Sequence, residues 1–272
     1  MNDIVNELAL THLRPAETRL VAILARPKAI AIGSVVALAA LGWGGCALML
    51  ASPTSEWFYA ICQPVIGRNF GIGDASLTLA MWTAMVLAMM LPTAGPMILT
   101  YAEIADTAAR KSERVVSPMV LTAGYAAVWL GFALAASLLQ MLLASSASNN
   151  VATVQAQLSG AIFLVAGLYQ FSSLKAACLT LCQRPFQFFF ANWTTVPRGV
   201  FALGLRQGLY CLGCCWALML VMFAVGAMNV LWMAALGVLM TVEKMSATAR
   251  FSRVIGMAFI GVGVTLLAME FN

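Results

Sequence analysis

Apolar runs of about membrane length follow one another along the chain, separated by short stretches that hold nearly all of its charge. A helix needs about 20 apolar residues to cross a bilayer. Such runs lie at about 29–51, 75–99, 118–143, 153–171, 199–225, 230–242 and 254–268. The fourth can continue as helix to Cys182, before Arg184-Pro185 stops it. Only 9% of the 272 residues are charged, whereas a soluble domain carries about 25%. In lipid the backbone must satisfy its own hydrogen bonds, so runs of this length are read as helices. The expected fold is all-α, a polytopic transmembrane helix bundle of about seven spans. Residues 1–28 form an N-terminal arm, and 29–270 form a single transmembrane helical domain.

The positive charges give the orientation. Arg14, Arg19, Arg26 and Lys28 precede the first span. Arg110, Lys111 and Arg114 lie between the second and third, and Lys175, Arg184 and Arg198 between the fourth and fifth. Lys244, Arg250 and Arg253 lie between the sixth and seventh, leaving Arg68 alone on the other side. By the positive-inside rule the N-terminus is cytoplasmic and the C-terminus outside. The net charge of +5 is thereby explained by topology, with no nucleic-acid partner. No cleavable signal peptide is read in the first 26 residues, which are mixed and charged. A retinal pigment is excluded because 254–268 has no lysine, and no internal repeat supports an inverted-repeat transporter. Gly204 and Gly208 have the spacing of close helix packing.

The chemistry lies in sulfur. Five of seven cysteines fall between Cys178 and Cys215. Cys211, Cys214 and Cys215 share one helical face of the fifth span, roughly 18 Å from Gly199 at 1.5 Å per residue. Cys178 and Cys182 are one turn apart, with Lys175 and Arg184 nearby to favour thiolates. Met81, Met85 and Met89 form a stripe down the second span, among 17 methionines where about six or seven are ordinary. Thioethers and thiolates are soft ligands suited to Cu(I), ahead of zinc. The alternative for each group is plain packing, since Cys and Met also serve as apolar filler. Pro92 and Pro96 make a hinge or a tolerated kink.

Counted by depth, the groups run from thioethers through mid-membrane thiols to thiols at the inner surface, as a soft-cation relay requires. Arg206 and Glu243 lie near the inner boundary, as an ion pair, or with Arg206 snorkelling and Glu243 as a proton or cation site. Cys46 and Cys62 either form a disulfide or stay free. His12, in the arm, gives no support to a histidine-based metal centre. No hydrolytic triad, phosphate loop or haem motif is present, so no catalytic residues are named and a binding protein is read ahead of an enzyme.

The chain resembles a bacterial family of integral membrane proteins described as metal-binding, with no assigned reaction. The resemblance rests on Trp82-x-x-Met85-x-x-x-Met89-Met90-x-Pro92, on Gly167-x-Tyr169-Gln170 with Lys175-x-x-Cys178-Leu179-x-x-Cys182, and on Cys211-x-Gly213-Cys214-Cys215-Trp216-x-Leu218-Met219. Gly226-x-Met228-Asn229-x-x-Trp232-Met233 and Glu243-Lys244 extend it, so that it covers roughly 75–244. Gln183 departs from the pattern by separating Cys182 from Arg184. The resemblance implies metal binding in a bacterial inner membrane. With the residues, it gives three readings: Cu(I) transport or membrane delivery, with a metallochaperone or membrane-complex partner; a thiol-redox or metalloenzyme subunit; or an assembly subunit of a larger complex.

Overall fold

The computed structural model describes residues 72–111, 114–145, 151–225, 230–246 and 249–270, with parts of 32–47. The N-terminal arm with His12, much of the first expected span, Cys46, Cys62 and Arg68 lie outside the described residues. From residue 72 on, the described residues form eight helices and no strand. These are α1 (Ile72–Arg110), α2 (Pro118–Ser145), α3 (Val151–Tyr169), α4 (Ser173–Gln183), α5 (Pro185–Ala191), α6 (Pro197–Val225), α7 (Val230–Met245) and α8 (Ala249–Glu270). Pro118, Pro185 and Pro197 each open a helix, where the missing N–H costs nothing.

Four helices are long and apolar enough to cross a membrane: Gly73–Arg110, Pro118–Leu143, Pro197–Val225 and Arg250–Met269. The pair Gln157–Tyr169 and Ser173–Gln183, bent by 65°, makes a fifth if it is counted as one span. The described residues thus supply fewer spans than the seven expected, because α7 has only 16 residues and the first run is described only in part. Two local expectations change. Helix α1 runs through Pro92 and Pro96 and absorbs the expected charged loop as far as Arg110. Arg110 pairs with Asp106 at 3.1 Å, one turn apart, in good helix-forming sequence. The fourth helix does not continue to Cys182. It breaks after Tyr169, and Ser172 caps a new helix by accepting from the Leu174 N–H at 3.2 Å.

Glycine sets the closest packing, which places the site. Gly124 on α2 and Gly204 on α6 lie against each other's backbones with no room for a Cβ, and a Cβ on Gly208 would stand 3.1 Å from the Tyr125 carbonyl oxygen. Trp82 of α1 stacks near Phe223 of α6 at 4.7 Å and donates its indole N–H to Gln140 of α2 at 2.6 Å. On its far side α2 leaves Leu130, Leu134, Leu138 and Leu142 exposed at four-residue spacing.

Candidate metal centre

Cys211, Cys214 and Cys215 are buried midway along α6, and their sulfurs all lie within 4.8 Å of one another. The convergence is a local consequence of i, i+3 and i+4 spacing on one helix. The Cys214 thiol donates to the Cys211 carbonyl at 3.1 Å, and its sulfur is 3.3 Å from that of Cys215.

Helices α1, α2, α4 and α7 close on this face. Tight α2–α6 packing sets the Tyr125 hydroxyl 2.9 Å from the Cys211 sulfur and 3.2 Å from the Met90 carbonyl oxygen of α1. From the last turn of α7, the Lys244 ammonium donates to Cys211 at 3.0 Å and to the Thr93 hydroxyl of α1 at 2.6 Å. A cation at a helix C-terminus also meets favourable carbonyl dipoles. After the 65° bend α4 packs against α6 and sets the Cys182 thiol toward those of Cys211 and Cys214, outside the group of three that converge within 4.8 Å. Cys178 is half-buried and does not join them: its sulfur packs on Gly213, 2.6 Å from where a Cβ there would stand. Tyr169 ties the end of α3 to the same turn, donating to the Gly213 carbonyl at 2.5 Å.

Of the pair on α4, Cys182 is thus set toward the triplet and Cys178 toward Gly213. The methionine stripe is a separate feature. Met81, Met85 and Met89 are buried in the core of α1, and Met89 stands one turn, about 6 Å, before Thr93, which touches the site.

The charges are also rearranged. Glu243 does not pair with Arg206, which is exposed on α6. Its carboxylate receives the Lys175 ammonium at 2.8 Å, with both side chains 2% exposed, and the Ser252 hydroxyl as well. Lys175 is thus engaged by a carboxylate and does not serve the thiols. That position is taken by Lys244, which the sequence offers as a topology charge and as part of Glu243-Lys244, with no role at the thiols. Tyr125 and Thr93 were also missed. The available signal was Glu243-Lys244 itself, two adjacent opposite charges ending an apolar helix.

Three soft sulfurs, a fourth at their edge, and one ammonium beside them make a site in which deprotonated thiols have a fixed counter-charge. Among the described residues, these three cysteines are the group whose ligand atoms converge as a metal ion requires. A family model described as PpoB2, copper chaperone, matches residues 79–266, well over half of the chain. The chain belongs to the PpoB2 copper chaperone family. The PpoB2 match takes in the methionine stripe, Tyr125, all five clustered cysteines and Lys244. It leaves out the first 78 residues, with His12, Cys46 and Cys62. No curated protein and no solved structure matches the chain.

Proposed function

We propose that this chain is a multi-pass protein of the bacterial inner membrane that binds Cu(I) and hands it on, by transport or by delivery to a partner within the membrane. The observation that carries this reading is the buried Cys211, Cys214 and Cys215 cluster with Lys244 donating to Cys211 at 3.0 Å. Sulfur-only ligation favours a soft monovalent ion. Two thiolates and Cu(I) carry one negative charge, which Lys244 balances inside a low-dielectric interior. Family membership supplies copper as the named cargo.

The exposed Leu130, Leu134 and Leu138 of α2 and the four long apolar helices support a lipid setting. About seven spans follow from the apolar runs of the sequence, and an N-terminus inside follows from the positive-inside count. In this reading Met81, Met85 and Met89 take the ion from the outer half of α1. The four thiols hold it, and Cys178 stands on the route to the cytoplasmic face. Purified protein, reduced and loaded with Cu(I), is expected to retain copper after gel filtration. Cys214→Ser with Cys215→Ser is expected to lose it while keeping the parent helix content by circular dichroism. Unchanged copper content in that double variant rejects the site.

A further inference from the structure

Between α3 and α6 the chain builds two short helices, α4 and α5, of 11 and 7 residues. Helix α3 has 19 residues and is about 28 Å long at 1.5 Å per residue, close to the roughly 30 Å of a bilayer's hydrocarbon core. It needs little from α4 to complete a crossing. The 65° bend then turns α4 off the axis of α3. With α3 near the membrane normal, α4 runs closer to the plane of the bilayer.

The α4–α5 pair has two faces. Inward, buried Lys175 holds Glu243, and Phe189 is fully buried with its ring 5.5 Å from that of Tyr101 on α1. Outward, Leu174 and Leu181 of α4 and Phe186 and Phe190 of α5 are exposed, Phe190 by 80%. The Phe186 and Phe190 rings stack at 6.2 Å with 19° between their planes, so they make one aromatic surface. An exposed apolar surface of this kind marks an interaction site.

Its level and its charge say what covers it. Tyr101, against which Phe189 and Trp193 pack, stands just beyond the apolar run 75–99. Helix α5 is therefore at the level where hydrocarbon gives way to headgroups, which aromatic belts and interfacial amphipathic helices occupy. Arg184, just before α5, and Arg198, at the start of α6, are both exposed. Residues 171–200 contain no Asp or Glu. Anionic headgroups thus meet cations along this stretch and no opposing carboxylate.

We propose that α4 and α5 lie in the cytoplasmic leaflet as an interfacial pair, with Phe186 and Phe190 among lipid acyl chains and Arg184 and Arg198 at anionic phospholipid headgroups. The proposal rests on the membrane reading given above. Cys182 is set toward the triplet from the same pair, so lipid and thiols lie on either side of one short helix.

The test places the photoreactive residue p-benzoylphenylalanine at Phe190, and separately at Phe186, in full-length protein held in nanodiscs of phosphatidylethanolamine and phosphatidylglycerol. Leu138, exposed on α2, is the reference for lipid contact, and Arg114, exposed between α1 and α2, the reference for water. After illumination, intact mass is expected to show an added phospholipid at 186, 190 and 138, and little at 114. Arg184→Gln with Arg198→Gln is expected to lower the phosphatidylglycerol share of the adduct at 190 by about twofold or more, the sign of lost attraction to anionic lipid. Lipid adducts at 138 with none at 186 and 190 overturn the proposal and leave the membrane reading standing. No adduct at 138 overturns the membrane reading and the proposal with it. Cross-links to polypeptide in place of lipid, or a yield at 190 no higher than at 114, overturn the interfacial placement. A phosphatidylglycerol share unchanged by the arginine variants overturns the headgroup contact.

Discussion

Glu243 and Lys244 are neighbours at the end of α7, yet they face opposite chemistries. Glu243 meets hard partners, an ammonium at 2.8 Å and a hydroxyl, in a pocket where both charges are 2% exposed. Lys244 meets a sulfur at 3.0 Å and a threonine hydroxyl at 2.6 Å, with no carboxylate as counter-charge in these contacts. The first arrangement is closed: opposite charges cancel, and the removal of either partner strands the other. The second is open to exchange, because thiols hydrogen-bond weakly and can trade a proton for a soft cation. One dipeptide thus anchors the bundle with one residue and equips the thiol centre with the other.

The sharpest way to break this contrast is at the closed pair. Lys175→Ala leaves Glu243 buried without its cation, an effect on the order of 3–5 kcal/mol. The expected result is a large fall in thermal midpoint in detergent. Lys175→Met combined with Glu243→Leu should recover most of it, since apolar replacement of a whole buried pair is often neutral. A single variant as stable as the parent would mean that the pair does not hold α4 to α7.

The open side is expected to respond in function more than in stability. Lys244→Met keeps the apolar stem and removes the charge beside Cys211. Groups that orient or electrostatically support metal ligands typically matter by 10- to 100-fold in affinity. Competition with a chromophoric Cu(I) chelator should show a loss on the order of 10- to 100-fold, with the thermal midpoint near that of the parent. An unchanged affinity removes Lys244 from the centre. A collapse of the fold instead makes Lys244 equivalent to Lys175, and the contrast between the two sides disappears.

How much of this was readable beforehand depends on how local each feature is. The convergence of Cys211, Cys214 and Cys215 needs only helical periodicity over five residues, so the sequence carries it. Pro118 and Pro197 mark helix starts for the same local reason. The 65° bend after Tyr169 was not readable from Gln170-Phe171-Ser172, which contains neither proline nor glycine and signals only through the Ser172 cap. Everything that depends on the bend, above all the meeting of Cys182 with the triplet, was therefore hidden. Lys244 was hidden differently. Counting charges assigns a lysine at the end of an apolar run to the surface, whereas its true level is fixed by α7 ending beside the middle of α6. The pairing of Glu243 with Lys175 across 68 positions is likewise a tertiary fact.

The smallest predicted effect tests the bend itself, through the two cysteines that the sequence treats as equivalent. Cys182 faces the thiols of Cys211 and Cys214, while Cys178 rests on Gly213. Cys182→Ser is expected to weaken Cu(I) binding by about tenfold, at the low end for a group supporting the primary ligands. Cys178→Ser is expected to stay within about 0.5 kcal/mol of the parent, as for a change away from the ligand set. Both sit on one face of an 11-residue helix one turn apart, so a simple terminal thiol pair predicts equal losses. Unequal losses require α4 to lie against α6 with its last turn toward the centre. The asymmetry therefore reads the helix geometry through metal affinity, independently of any structural probe.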